Sequence, residues 1–522
     1  MLQQLFSTLD ENVDLSTATE NMRKIVSENL PNNWKVLCIA LCPTGEVLVA
    51  CLQNSKVGGL VGRVGCVGCG ASAKGEKSFD RVILNKLDNL LERSRQQLVG
   101  MDPEKAVHFD EKAKRKWWKD REEVDEGLGK LVEETEEMLT KENEDISDFF
   151  GEVEDEEGEE EGEEEGEGEE EVAVGNLSNR FEAACKLEDE EGDEDQEEDV
   201  CLDSLTVPAL KNKILQVGGG KDDMKGLKKA GLKELLNKFM TAKKKSTAKP
   251  TAKPTVTTTT TTTKSTKKKT KATILVLDER LHRLPWEGFA CFENTSVYRV
   301  PSLPFVVAPI VEGRSTVISR RDCTYVLDPE GNLPSTKKTM QPIFKSYSSR
   351  FSWREKGVVG KIPNEAFFAD ALQKDGGLMI YCGHGGAEHC FSRPQVENLL
   401  RDGRRTCEST VILMGCSSGR MSAGGGSTRG VGSNFKLLPY EADGTVTSYL
   451  CAGSPCIVGN LWDVTDKDID KFFINFLAEF FEGNRDIASC VAGSRSVCKM
   501  KRVVGFAPVC FGVPITFGED NE

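Results

Sequence analysis

Histidine is scarce in this chain, with four among 522 residues: His108, His282, His384 and His389. Imidazole is the commonest base and metal ligand of proteins, so few positions are open to either role. Long apolar runs are missing too. No stretch approaches the roughly 20 apolar residues that a membrane helix needs, so no membrane contact is expected. The first residues, Met1 to Phe6, lack the basic and apolar blocks of a secretory leader. Without such a leader, the 18 cysteines are expected to stay reduced in cytoplasm or nucleus. Cys66-Val67-Gly68-Cys69 is a lone C-x-x-C with no second pair and no nearby histidine. No zinc, no other metal and no cofactor is expected from it. No repeat period runs through the chain, which excludes a helical-repeat solenoid within these residues.

Charge, by contrast, is abundant and uneven. The net charge of −17 comes mostly from residues 144–201, a run of glutamate, aspartate and glycine. Such a run cannot bury enough apolar surface to offset its ordering entropy, and disorder is expected. Residues 241–272 form a second linker of opposite sign, rich in lysine and threonine. Between them, residues 202–240 read as two amphipathic helices around a glycine-rich turn. That pair resembles a small DNA-binding module only faintly. It reads better as an appendage of a larger scaffold, and no direct DNA binding is expected. Near the N-terminus, Val36–Leu41 and Val47–Cys51 read as a hairpin around Pro43-Thr44-Gly45. Residues 112–140, with Trp117, Trp118, Val124, Leu128, Leu131 and Met138, read as one long amphipathic helix.

The chemistry concentrates further on. Leu378–Cys382 is a short apolar run that stops at Gly383-His384-Gly385-Gly386. Thr410–Met414 is another, and it stops at Gly415-Cys416-Ser417-Ser418-Gly419. Each reads as a buried strand ending on a tight turn. The intervening Gln395–Arg401 has the character of a short helix, enough for a right-handed crossover between parallel neighbours. Ligands of open parallel sheets bind beyond the carboxyl ends of the strands, where His384 and Cys416 would both stand. A third run, Pro455–Trp462, ends at Asp463 and Asp466 and would bring carboxylates to the same edge. A base and a thiol so placed make a nucleophilic pair. The same residues also fit the G-x-S-x-G elbow, with Ser417 as nucleophile. That fold needs its histidine after the serine, and no histidine follows Cys416. The glycine-rich Gly424–Gly430 lacks the Gly-Lys-Ser/Thr ending of a P-loop and reads as a loop.

Gly383-His384-Gly385, Met414–Arg420, Ala452–Pro455 and the run from Gly459 through Trp462-Asp463-Val464-Thr465-Asp466 to Asp470 together resemble the catalytic domain of separases. Leu275–Asp278, Leu284–Glu287, Arg299–Leu303, Tyr325–Pro329, Gly331–Pro334 and Thr336–Thr339 are similar to the lead-in segments of that family, and Pro31–Trp34 and Trp117–Arg121 to more distant landmarks. One departure is His389, which stands where the family usually has glutamine.

The resemblance implies an α/β fold of the caspase-like kind, a mostly parallel sheet flanked by helices over 273–522, with a pseudo-protease-like α/β part over 1–143. It implies a thiol endopeptidase with Cys416 as nucleophile and His384 as base and acid, and an oxyanion hole from the N–H groups of Gly385 and Cys416. Cleavage after arginine would need a carboxylate, with Asp463 the first choice and Asp466 the second, the latter otherwise a helix cap. The implied substrate is the closing subunit of the cohesin ring. The implied partners are a securin-type inhibitory chaperone and, since the family's helical-repeat region is not in this sequence, a separate helical-repeat chain. Two alternatives are a self-processing peptidase of the metacaspase type and an inactive scaffold. The Trp-Asp-Val-Thr-Asp run speaks against the first, and the intact His384 and Cys416 against the second.

Overall fold

The computed structural model describes residues 24, 26, 28–41, 47–55, 59–67, 79–99, 111–140, 271–293, 295–354, 357–401, 407–423, 442–483 and 485–518. The expectations for 144–201, 202–240 and most of 241–272, for Gly424–Gly430, for Cys69 and for the Pro43–Gly45 turn lie outside the described residues.

Among the described residues, eleven strands form the central sheet. They are β1 (Trp34–Leu41), β2 (Val47–Ser55), β3 (Gly59–Val67), β4 (Ala272–Leu277), β5 (Ser296–Val300), β6 (Cys323–Leu327), β7 (Val358–Val359), β8 (Leu378–Cys382), β9 (Thr410–Leu413), β10 (Cys456–Asn460) and β11 (Pro508–Gly512). Their order across the sheet is β3-β2-β1-β4-β5-β11-β10-β9-β8-β6-β7. Three neighbouring pairs are antiparallel: β2 with β3, β1 with β2, and β10 with β11. The rest are parallel. This is the mostly parallel α/β architecture expected of a caspase-like fold. Every residue of β8, β9, β10 and β11 is buried. Continuous apolar runs such as Leu378-Met379-Ile380-Tyr381 suit strands covered on both faces by helices.

The amino-terminal hairpin is part of this sheet, because β1 lies parallel to β4 with Trp34 opposite Ala272. The long helix spans Glu111–Thr140. Val124, Leu128, Leu131, Val132 and Leu139 on it are buried, at the spacing of one helical face. Its polar residues fasten it to the carboxyl-terminal part. Asp125 Oδ1 accepts from the backbone N–H of Arg502 (2.8 Å) and of Val503 (2.7 Å). Glu136 accepts from the N–H of Ala290 and of Cys291, both at 2.8 Å. The Lys499 ammonium sits 3.3 Å from the Trp118 ring centroid.

One buried ion pair fixes the approach to β5. Arg299 is fully buried and its guanidinium grips Glu287 through Nε (2.7 Å) and Nη2. Nη1 donates to the carbonyl of His282 and Nη2 to that of Leu284, each at 2.7 Å. The turn 281–287 therefore wraps one side chain.

Candidate active site

The crossover between β8 and β9 carries the helix Arg393–Arg401. It sets the strands parallel, with Tyr381 opposite Leu413. His384 and Cys416 thus leave adjacent strand ends on the same edge. They line one narrow cavity of about 30 Å³, together with Gly383, Met414, Gly415, Val464, Asp466 and Asp470. The loops touch at their glycines. A Cβ at Gly415 would lie 2.1 Å from the Gly385 carbonyl oxygen and 2.5 Å from that of Gly383. Real Cβ atoms do not approach so closely, so only glycine brings the base and the thiol to one cavity. Gly385 itself has φ +61°, the region glycine adopts freely.

Beyond Gly415 the chain turns sharply. Ser417 is a non-glycine residue at φ +54°, a strained conformation that the surroundings must hold. The end of β10 supplies the grip. Asn460 Nδ2 donates to the Gly415 carbonyl (3.0 Å), and its own N–H donates to Ser418 Oγ (3.0 Å). Ser418 Oγ donates in turn to the Leu413 carbonyl (2.7 Å). The N–H of Ser417 reaches the Trp462 carbonyl (3.1 Å) and that of Gly419 the Asn460 carbonyl (2.8 Å). Ser417, the nucleophile of the rejected serine elbow, spends its hydroxyl on Asp463 Oδ1 at 2.6 Å.

The thiol at rest is not the activated species. Cys416 donates its S–H to the Val464 carbonyl at 3.4 Å. Burial pushes its pKa up to about 11; the Val464 bond pulls against this, while Asp463 and Asp466 add to it. Burial and the two carboxylates both disfavour a thiolate at rest. With a thiol so held, the chemistry the arrangement can support is general-base removal of the proton as the sulfur attacks. A test follows from the sign. Below the thiol's pKa the reactive fraction grows about tenfold per pH unit. Iodoacetamide labelling at Cys416, read by peptide mass spectrometry on the substrate-free chain, should keep rising between pH 7 and 10. A plateau by pH 8 would mean a pre-formed thiolate and would refute this account.

The two candidate aspartates face different places. Asp463, bound to Ser417, lines a separate cleft of about 270 Å³ that also holds Asp88, Glu92, Arg95, Arg283 and Arg420. Asp466 lines the cavity of His384 and Cys416, with Asp470 beside it. Partial burial raises the Asp466 pKa, and His384 pulls it back. The N-cap position of the helix Asp466–Glu482 belongs to Thr465, so Asp466 is its first residue.

Three polar residues were absent from the candidate set. Asn332 meets His384 Nε2 through Oδ1 at 3.1 Å. Asp470 lines the cavity one helical turn past Asp466. Asn460 pins the nucleophile turn. Each sat inside a recognised segment, Gly331–Pro334 or Gly459–Asp470, but no periodicity marks which member of a segment faces a site. Among the described residues, no group of three His, Cys, Asp or Glu side chains is arranged to hold a metal ion. No described helix is long and apolar enough to cross a membrane.

Comparisons with known proteins bear on the fold and on the family of this segment. Residues 214–469 match the family described as "Separin, protease domain". The chain is 37% identical over 263 residues to Separin of Emericella nidulans, covering 47% of this chain and 12% of that protein. It is 34% identical over 255 residues to Separin of Schizosaccharomyces pombe (46% and 12%) and 32% identical over 253 residues to Separin of Mus musculus (47% and 11%). The match thus spans a small part of these relatives. Among solved structures, two crystal structures of the Saccharomyces cerevisiae separase–securin complex share the fold, with TM-scores of 0.60 and 0.61 at 20% and 21% identity. Each covers 98% of this chain and 33% of the solved one. The segment 214–469, which contains His384, Cys416, Asp463 and Asp466, is therefore similar to the separin protease domain.

Proposed function

We propose that this chain is the catalytic part of a separase-type cysteine endopeptidase that cleaves the closing subunit of the cohesin ring after arginine and so releases sister chromatids at anaphase. The observation that carries the reading is the shared cavity of His384 and Cys416 at adjacent parallel strand ends, inside the family segment. Cys416 attacks the scissile carbonyl while His384 takes the thiol proton, then returns it to the leaving amine. The backbone N–H groups of Gly385 and Cys416 hold the oxyanion. Water hydrolyses the acyl-enzyme with His384 again as base. A securin-type chaperone would occupy the same edge, in keeping with the separase–securin complexes among the structural neighbours. A separate helical-repeat chain would complete the assembly. Cytoplasm and nucleus are the proposed locations.

For the substrate arginine, Asp466 is favoured by geometry over Asp463. Asp466 shares the cavity with the dyad, whereas Asp463 is engaged by Ser417 and flanked by Arg283 and Arg420. The narrow cavity must widen to admit a guanidinium. Peptides with arginine, lysine or glutamine at the cleavage position test the reading. The wild type is expected to cut only after arginine. Asp466→Asn should lower kcat/KM for the arginine peptide by roughly tenfold to a hundredfold, the value of a hydrogen bond to a charged group. Equal turnover of all three peptides by the wild type would overturn the specificity. Full arginine preference in Asp466→Asn, lost instead in Asp463→Asn, would move the role to Asp463.

A further inference from the structure

We infer that Asn332 is the positioning residue of His384, and that Glu330 sets the direction in which the Asn332 amide faces. The inference rests on His384 being the base, and it names what holds that base in one tautomer. His384 Nε2 lies 3.1 Å from Asn332 Oδ1. An amide oxygen only accepts, so the ring proton sits on Nε2 and the lone pair on Nδ1 is left to take the thiol proton. Amide oxygen and nitrogen are otherwise interchangeable by a flip of the side chain. Here the flip is blocked by charge. Asn332 Nδ2 donates to Glu330 Oε2 at 3.0 Å. Reversed, the amide oxygen would face a carboxylate and the NH₂ group would face the imidazole.

Glu330 has its own support. Its Oε1 lies 2.9 Å from His389 Nε2. His389 Nε2 also approaches the Tyr381 hydroxyl at 3.2 Å, and that hydroxyl donates to the backbone carbonyl of His384 at 2.9 Å. With a single His389 Nε2–H shared between Glu330 and the Tyr381 oxygen, the contacts close a ring from the His384 side chain through Asn332, Glu330, His389 and Tyr381 to the His384 backbone. The loop bearing Asn332 is tied to the same strand. Asp328 donates its N–H to the Cys382 carbonyl (2.8 Å) and accepts from the Leu333 N–H through Oδ1 (2.9 Å). Asn332 is exposed, so water competes for its amide until a substrate covers the site. The doubly held carboxylate of Glu330 keeps it aimed meanwhile.

Only four histidines make the tautomer directly measurable. The full chain, labelled with ¹⁵N-histidine, would be examined by long-range ¹H–¹⁵N correlation at pH 8, with His384→Ala assigning the signal. The wild type should show His384 as the Nε2–H tautomer. Asn332→Ala should turn it into a mixture. Asn332→Asp, which keeps an acceptor, should restore the tautomer. Glu330→Gln should keep the tautomer, since its amide oxygen still accepts from Asn332, and Glu330→Leu should lose it. In turnover of an arginyl peptide, Asn332→Ala should lower kcat about tenfold or more with little change in KM, as expected when orientation is lost. An Nδ1–H tautomer in the wild type would overturn the inference. So would an Asn332→Ala variant with unaltered tautomer and kcat. The spectra decide this even if the chain cuts no arginyl peptide, an outcome that would sink the substrate assignment alone.

Discussion

Cys416→Ser and His384→Ala are each expected to reduce cleavage of an arginyl peptide by roughly 10³-fold to 10⁶-fold, because nucleophile and base act as one unit. For the same reason the double variant should be hardly slower than either single one. The mechanism explains why serine does not substitute. Burial pushes the Cys416 thiol pKa up to about 11, so the proposed reaction needs His384 to take its proton. A hydroxyl is far less acidic still. The fold should tolerate both changes. His384 is exposed, and the nucleophile turn is held by Asn460, Ser418 and backbone bonds in which the Cys416 side chain takes no part. A serine at 416 can still donate to the Val464 carbonyl. Thermal melts therefore separate lost chemistry from lost structure. Turnover near wild type in Cys416→Ser, with an unchanged melt, would end the thiol mechanism.

Arg299→Met should be the more damaging change for stability, by about 3–5 kcal/mol, the usual cost of leaving a buried charge without its partner. Arg299 is fully buried and the Glu287 side chain is only 6% exposed. Removing the guanidinium strands the Glu287 carboxylate and the carbonyls of His282 and Leu284 at once. Urea denaturation of the single variant measures the loss. The double variant Arg299→Met/Glu287→Met removes both charges while keeping apolar volume, and should recover a good part of it. A single variant within 1 kcal/mol of the wild type would show that water reaches the pair, and that burial does not make it costly to break.

Much of this arrangement was legible in the chain because it is local. Leu378–Cys382 and Thr410–Leu413 are buried strands, the short helix between them begins at Arg393, and glycine turns present His384 and Cys416. Apolar runs, helix periodicity and glycine punctuation report on neighbours a few residues away, so sequence alone determined these elements and the candidate dyad. It did not reveal β3, whose alternation is diluted by Gly59, Gly62 and Gly65. Nor did it show that β1 would lie beside β4, a pairing of Trp34 with Ala272.

The finer features of the site were decided by contacts between residues remote in sequence. Asp463 and Asp466 are three positions apart, yet one turns to Ser417 and the other to the dyad's cavity, according to where the helix begins. Asn332 reaches His384 across 52 positions, and the thiol's pKa depends on burial and on the Val464 carbonyl. Hydrogen-bond direction and desolvation are properties of the packed molecule. The chain determined which groups can react, and the tertiary structure decided which atom of each faces the others, because orientation arises only when distant segments close around one cavity.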